Sequence, residues 1–170
     1  MLFVCFHHVT ELAIEATKKF LVENPNAGPG EIAELVTNQQ MASALKSQQK
    51  VHIFVHAAFT PQFFKNKEVE KYAKAVVAIT NENRIMERHL ISALELFCAK
   101  KPKNFPVFIK QLFDEDALDE VTILDWADEG RTEFTLDAVD EETRAALRGE
   151  AEPVVVWLQE ESDSEESDEE

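Results

Sequence analysis

One spacing recurs through the middle of the chain. Val51, Phe54, Val55, Ala58 and Phe59 fall at i, i+3, i+4, i+7 and i+8, and Val69, Tyr72, Ala73, Val76 and Val77 repeat the pattern, as do Phe105, Phe108, Ile109, Leu112 and Phe113. Such a period gathers apolar side chains on one face of a helix. Between the last two sets Ile85, Met86, His89, Leu90, Ala93, Leu94 and Phe97 form a wider stripe on a longer helix, and no stretch alternates with period two. The fold class is therefore all-α.

The breaks between these segments are short. Asn24 to Gly30 separates a helix over about Thr10 to Val22 from one that begins near Glu31, Thr60-Pro61 and Asn66 read as helix starts, and Asn81, Lys101-Pro102 and Asp116 mark further breaks. Short links make consecutive amphipathic helices antiparallel neighbours. Stripes wider than a coiled-coil seam need cover on both sides, which predicts stacked antiparallel helix pairs, an α-solenoid without detectable sequence repeat. Near the end, Pro153 suits the first turn of a helix that puts Val154, Trp157 and Leu158 on one face. From Glu160 to Glu170 only Ser162, Ser164 and Ser167 interrupt the acidic residues, a composition unable to bury itself. The expected organisation is a helical domain over 1–161 and a disordered acidic tail over 162–170.

Charge divides the chain more sharply than hydropathy does. The net charge is -16, but residues 1–110 carry 14 Lys/Arg against 10 Asp/Glu, and residues 111–170 carry 3 against 23, so the halves stand at +4 and -20. An acidic half of that strength repels nucleic acid and anionic membrane and attracts lysine-rich protein segments. Cys5 and Cys98 lie in apolar sequence and read as buried free thiols of a reducing compartment. His7 and His8 end the apolar opening before it reaches signal-peptide length, and no stretch is long enough to span a bilayer. The expectation is a soluble, intracellular protein, and a chain that begins in mid-pattern reads as a piece of a longer one.

Catalytic and cofactor signatures find no support. The four glycines, Gly28, Gly30, Gly130 and Gly149, cannot write a phosphate-binding loop or a dinucleotide fingerprint. His52 and His56 have the i, i+4 spacing of two ligands on one helix turn, yet Ile53 stands where a zinc protease needs Glu, and an apolar face adjoins them. Ser43, Ser47 and Ser92 lack a visible His and Asp arrangement, and Asp114, Asp116 and Glu120 lack the glycine and spacing of an EF-hand loop. Clustered exposed carboxylates do not supply the raised pKa of a glycosidase acid. The chain thus reads as a non-enzyme, with no cofactor and no metal site.

Two matched boxes remain. Leu112 to Gly130 and Val154 to Glu161 each set a tryptophan, Trp126 or Trp157, on an apolar helix face among carboxylates. The plain reading makes each ring a core residue closing a small helix, with function in the charges displayed around it. Lys65, Lys67, Lys71 and Lys74, with Lys100, Lys101 and Lys103, are either solvated helix faces or a second, basic binding face.

Leu112-Phe113-Asp114 through Ile123-Leu124-Asp125-Trp126, and Glu150-Ala151-Glu152-Pro153 through Trp157-Leu158-Gln159-Glu160-Glu161, resemble the two acidic-aromatic boxes that close eukaryotic translation initiation factor 5. The resemblance implies a HEAT-type carboxy-terminal domain acting as a cytoplasmic assembly hub. It carries partner binding to Asp114, Glu115, Asp116, Asp119, Glu120, Asp125, Trp126, Asp128 and Glu129 in the first box and to Trp157, Glu160 and Glu161 in the second. The partner implied for the boxes is the lysine-rich tail of the initiation factor 2 beta subunit. Initiation factor 1 is implied at the basic face, and initiation factors 3 and 4G are further partners of the family. Phe113 stands where the family often has tyrosine, and Ala127 where a large residue commonly follows the tryptophan. The family's GTPase-activating chemistry belongs to a separate domain with an arginine finger and a zinc module, for which this sequence has no CxxC pair. The same domain type closes the epsilon subunit of initiation factor 2B, where it promotes nucleotide exchange, and occurs in regulatory mimics of factor 5. These are the alternative readings.

Overall fold

The structure is a computed structural model that describes the backbone over 2–167 and side chains over 7–165. Among the described residues there are eight helices and no strands: α1 (Leu2–Glu23), α2 (Pro29–Ala42), α3 (Gln49–Ala58), α4 (Glu68–Thr80), α5 (Arg84–Phe97), α6 (Asn104–Asp114), α7 (Glu120–Asp128) and α8 (Glu141–Ser167). The predicted all-α class is what the chain forms. The side chain of Cys5 lies outside the described residues, while Cys98 is a buried free thiol whose pKa burial pushes up to about 12.

Packing follows two rows. In one, α1 lies on α3, α3 on α5 and α5 on α7, and in the other α2 lies on α4, α4 on α6 and α6 on α8. Most successive helices also touch across the rows, so each stripe is covered from its own row and from the facing one. This is the solenoid geometry that wide apolar stripes demand. The recurring template supplies its core: Phe54, Val69, Val76, Phe105, Phe108, Ile109 and Leu112 are all fully buried. An aromatic chain holds the middle, with Phe59 edge-on to Phe108 at 4.8 Å and Phe63 stacked on Phe108 at 4.4 Å.

The connections are built from left-handed residues and buried carboxylates. Ala44, Lys67 and Asp116 each take a positive φ where a helix or turn closes, and the next amide reaches back five residues: Leu45 to the Gln40 carbonyl, Glu68 to Phe63 and Ala117 to Leu112. The Thr60–Lys67 stretch is a turn, so no helix starts at Thr60-Pro61, whereas α4 begins at Glu68, two residues after Asn66. Buried Glu68 holds the turn, accepting from the Thr60 amide at 2.7 Å and the Thr60 hydroxyl at 2.8 Å. Asn83 caps α5 by accepting from the amides of Ile85 and Met86.

Two expectations are corrected in α8. Pro153 sits inside a helix that starts twelve residues earlier at Glu141, not in a first turn. The ring leaves the Gly149 carbonyl without its intrahelical donor, and exposed Gly149, having no side chain, lets water reach that oxygen. The start of α8 is set instead by Asp140, whose carboxylate accepts from the Thr143 amide at 2.8 Å, a bond that lowers its pKa. Residues 162–167, expected as disordered tail, continue the helix, and 168–170 lie outside the described residues. Once the Val154 to Leu158 turns are packed, each further residue costs only propagation, and Glu is a good helix former. Ser162 also anchors the extension by donating to the Leu158 carbonyl at 3.1 Å and touching Glu120 of α7.

Candidate functional site

The last sixty residues have only three cations, and all of them turn toward their own backbone. Arg131 donates to the carbonyls of Val139 at 3.1 Å and Leu136 at 3.3 Å and pairs with Glu141 at 3.1 Å. Arg144, buried, donates to the Gly130 carbonyl at 2.8 Å and faces Glu95 at 3.8 Å. Arg148 donates to the Trp126 carbonyl at 2.6 Å and to the Glu129 carbonyl. Together they fasten the long α7–α8 connection to the body of the domain. What this region presents outward is then almost purely carboxylate.

Trp126 is at the centre of that fastening. It is 4% exposed, stands 5.1 Å from the Phe105 ring and is covered by the Arg148 guanidinium at 5.4 Å. The resemblance implies partner binding at Trp126; the ring itself is almost wholly buried, and only its edge lines a surface pocket with Ala127, Arg148, Gly149, Glu152 and Val155. The plain reading of that tryptophan as a core residue agrees with its burial, because α7 packs against both α5 and α8. Beneath it, Glu95 is 2% exposed, and burial raises its pKa against the pull of Arg144 and of the neighbouring Trp126 indole. The indole N–H falls short of hydrogen-bond geometry.

The remaining box residues divide by place. Asp114 ends α6, Glu115 and exposed Asp116 form the α6–α7 turn, and Asp119 caps α7 by accepting from the Val121 amide at 2.8 Å. Asp116, Asp119 and Glu120 line one groove with Glu82, Glu87, Phe113 and Leu118. Asp125 and Asp128 are exposed on α7, and Glu129 follows it. Glu129 is engaged by Arg88 at 2.5 Å, whose hydrogen bond holds its carboxyl below the usual range. At 1.5 Å per residue, Asp128 lies about 13 Å along α7 from Asp119, at the opposite end of the helix. Glu160 and Glu161 are exposed on α8, joined to the groove by the contact of Ser162 with Glu120.

Trp157 differs from Trp126. It is half-buried, edge-on to Phe113 at 5.8 Å, and carries the Lys110 ammonium over its ring at 4.3 Å. Phe113 and Trp157 thereby join the two boxes across α6 and α8. Lys110 went unnoticed in the sequence; its i, i+4 spacing to Asp114, now a 2.5 Å ion pair, was the available signal. Glu87 was missed as well. This buried α5 side chain accepts from the Asp119 amide at 3.0 Å and the Thr122 hydroxyl at 2.9 Å, fixing the start of α7.

The seven basic candidates are all exposed and fall into two groups. Lys71 and Lys74 line a cleft with the α1–α2 connection, near Lys65 and Lys67, whereas Lys100, Lys101 and Lys103 line another with Ala146, Gly149 and Glu150 of α8. Lys67 pairs with Glu70 at 3.9 Å. Phe64 is 65% exposed beside Lys65, an aromatic that the sequence template did not single out. His52 and His56 do not form a metal site with their neighbours: among the described residues no three His, Cys, Asp or Glu side chains converge to hold an ion. Burial lowers the His52 pKa to about 4, with His56 and His89 contributing, and burial also lowers those of His56 and His89. No helix among the described residues is long and apolar enough to cross a membrane.

Comparison with known proteins places this geometry. Residues 86–169 match the family described as W2: eIF4-gamma/eIF5/eIF2-epsilon. The chain is similar to eukaryotic translation initiation factor 5 of Zea mays, 37% identical over 120 residues, which is 68% of this chain and 23% of the maize protein. The corresponding Mus musculus protein is 27% identical over 98 residues, 55% of this chain and 22% of that protein. The matched stretches thus span less than a quarter of these relatives. A solved structure, the C-terminal domain of translation initiation factor 5 at low pH, shares the fold with a TM-score of 0.69 at 16% identity, covering 93% of this chain and 97% of the other.

Proposed function

The chain carries an initiation factor 5-like carboxy-terminal domain whose second half is of the W2 family, and from that premise we propose that it is a noncatalytic assembly module receiving a lysine-rich protein segment on the acidic surface of α6, α7 and α8. The observation that carries this reading is the engagement of Arg131, Arg144 and Arg148 with backbone carbonyls of their own region, which leaves Asp116, Asp119, Asp125, Asp128, Glu160 and Glu161 displayed there, with Lys110 at Asp114 and Arg88 at Glu129 the cations that reach the boxes from outside those sixty residues. The segment is that of the initiation factor 2 beta subunit, and the module works in the cytoplasm with initiation factors 1, 3 and 4G. Similarity to factor 5 proteins from plant and mammal favours this over an exchange-promoting domain of the 2B epsilon type.

The contributing residues are Asp114, Glu115, Asp116, Asp119, Glu120, Asp125, Asp128, Glu160 and Glu161, with Trp157 as the accessible aromatic. Trp126 serves by holding α7. One exposed ion pair contributes about 0–1 kcal/mol, so affinity requires many acting together, and salt weakens them together. Anisotropy of a fluorescent lysine-rich peptide at two salt concentrations tests the reading, using Asp116→Asn, Asp125→Asn, Asp128→Asn and Glu160→Gln combined. These side chains are exposed and cap no helix, so the variant keeps its melting temperature. Binding should be steeply salt-dependent and lost in the variant. Salt-independent binding, or full affinity after the four changes, would place the partner elsewhere.

A further inference from the structure

Lys110 is the single basic residue between Lys103 and Arg131, a stretch that contains eight carboxylates. Its ammonium lies 4.3 Å from the Trp157 ring centroid and 6.0 Å from that of Phe113, and 2.5 Å from the Asp114 carboxylate. Pro153 and Val154 complete a shallow apolar pocket beside Lys110 and Trp157. An aromatic face, a carboxylate and an apolar wall for methylenes are the features that recognise a lysine side chain. Here the chain fills them with a lysine of its own. That side chain is 35% exposed, so it can swing into water without opening the core.

We propose that Lys110 is a built-in competitor: it occupies a Trp157–Asp114 receptor that a lysine of the bound segment takes by displacing it. The inference rests on the acidic-surface reading and adds a specificity element to it. A segment must offer a lysine able to replace one already seated, so scattered positive charge gains less here than a lysine with a free aliphatic stem.

The test compares Lys110→Met and Lys110→Gln with Lys103→Met, which makes the same charge change away from Trp157. Affinity for a fluorescent lysine-rich peptide is measured by anisotropy, and the Trp157 indole N–H is followed by NMR during the titration. Both Lys110 variants should bind about two- to fivefold tighter than the wild type, the range that corresponds to one exposed cation–π contact. Lys103→Met should change affinity less than twofold, roughly, because screening dilutes a distant charge. The indole resonance should shift on binding. Equal affinities for the Lys110 and Lys103 variants, or tighter binding with a stationary indole resonance, would overturn the competitor role while leaving the acidic surface intact. Absence of salt-sensitive binding in the wild type and all variants would overturn both.

Discussion

Glu87 offers the sharpest test of how the acidic surface is positioned, because one α5 side chain fixes the first turn of α7. Its two oxygens accept from the Asp119 amide at 3.0 Å and the Thr122 hydroxyl at 2.9 Å, and both Glu87 and Thr122 are buried. Glu87→Ala removes both acceptors and strands an amide and a hydroxyl from water. A hydrogen bond to a charged group contributes about 1.5–3 kcal/mol, so the loss of two should be about 3–6 kcal/mol. Glu87→Gln should cost only about 1 kcal/mol, since its carbonyl can serve the amide while the Thr122 hydroxyl reverses to accept from its NH2. Thr122→Val alone should cost about 1–2 kcal/mol, and the double variant with Glu87→Ala should cost less than the sum, because the shared bond can be lost only once. Urea unfolding followed by helical circular dichroism measures all four. Stability of Glu87→Ala within about 0.5 kcal/mol of the wild type, or strict additivity with Thr122→Val, would refute the clamp.

Other expectations concern the aromatics, pH and the tail. Trp126→Ala should destabilise the fold by about 3–5 kcal/mol in chemical denaturation, whereas Trp157→Ala should spare most of the stability and weaken peptide binding. His52 has a folded pKa of about 4 against an ordinary 6.5, so the folded state binds fewer protons between those values. Its contribution is complete above pH 6.5 and is lost as pH falls toward 4, roughly 3 kcal/mol in all. Melting of His52→Gln against the wild type from pH 7 to 4 should show the wild type losing more. Phosphates on Ser162, Ser164 and Ser167, in acidic context suited to a casein kinase 2 type enzyme, would each add about -1.5 to -2 charges and should tighten binding to a lysine-rich peptide at moderate salt. Calorimetry with GTP and magnesium should show no binding by this chain, there being no glycine-rich loop in its sequence.

Burial periodicity made the helices legible before any coordinates. Phe105, Phe108, Ile109 and Leu112 can share a face only in a helix, and they are buried together. Which helices stack was not legible, since short links fix that α3 follows α2 but not that α3 lies on α1 and α5. Pro153 misled because its local preference for a first turn was overridden by packing on α6 and α7. Buried Glu68, Glu87 and Glu95 were invisible for a related reason: sequence makes a glutamate look like surface until its donors are known. The two tryptophans are alike in local sequence, yet α5, Phe105 and Arg148 enclose Trp126 while Trp157 keeps an open flank under a movable lysine. Charge segregation, in contrast, could be read directly, and the structure adds that the few cations of the acidic half are spent internally.

The most direct measurement of the central claim is an amide chemical-shift map of the labelled protein titrated with an unlabelled lysine-rich peptide at low salt. The account predicts shifts along Asp114 to Glu120, at Asp125 and Asp128, and over Trp157 to Glu161, fading together as salt is added, with the α4 lysines Lys71 and Lys74 unmoved. Shifts centred on Lys65 to Lys74 or Lys100 to Lys103, with α7 and α8 silent, would contradict it.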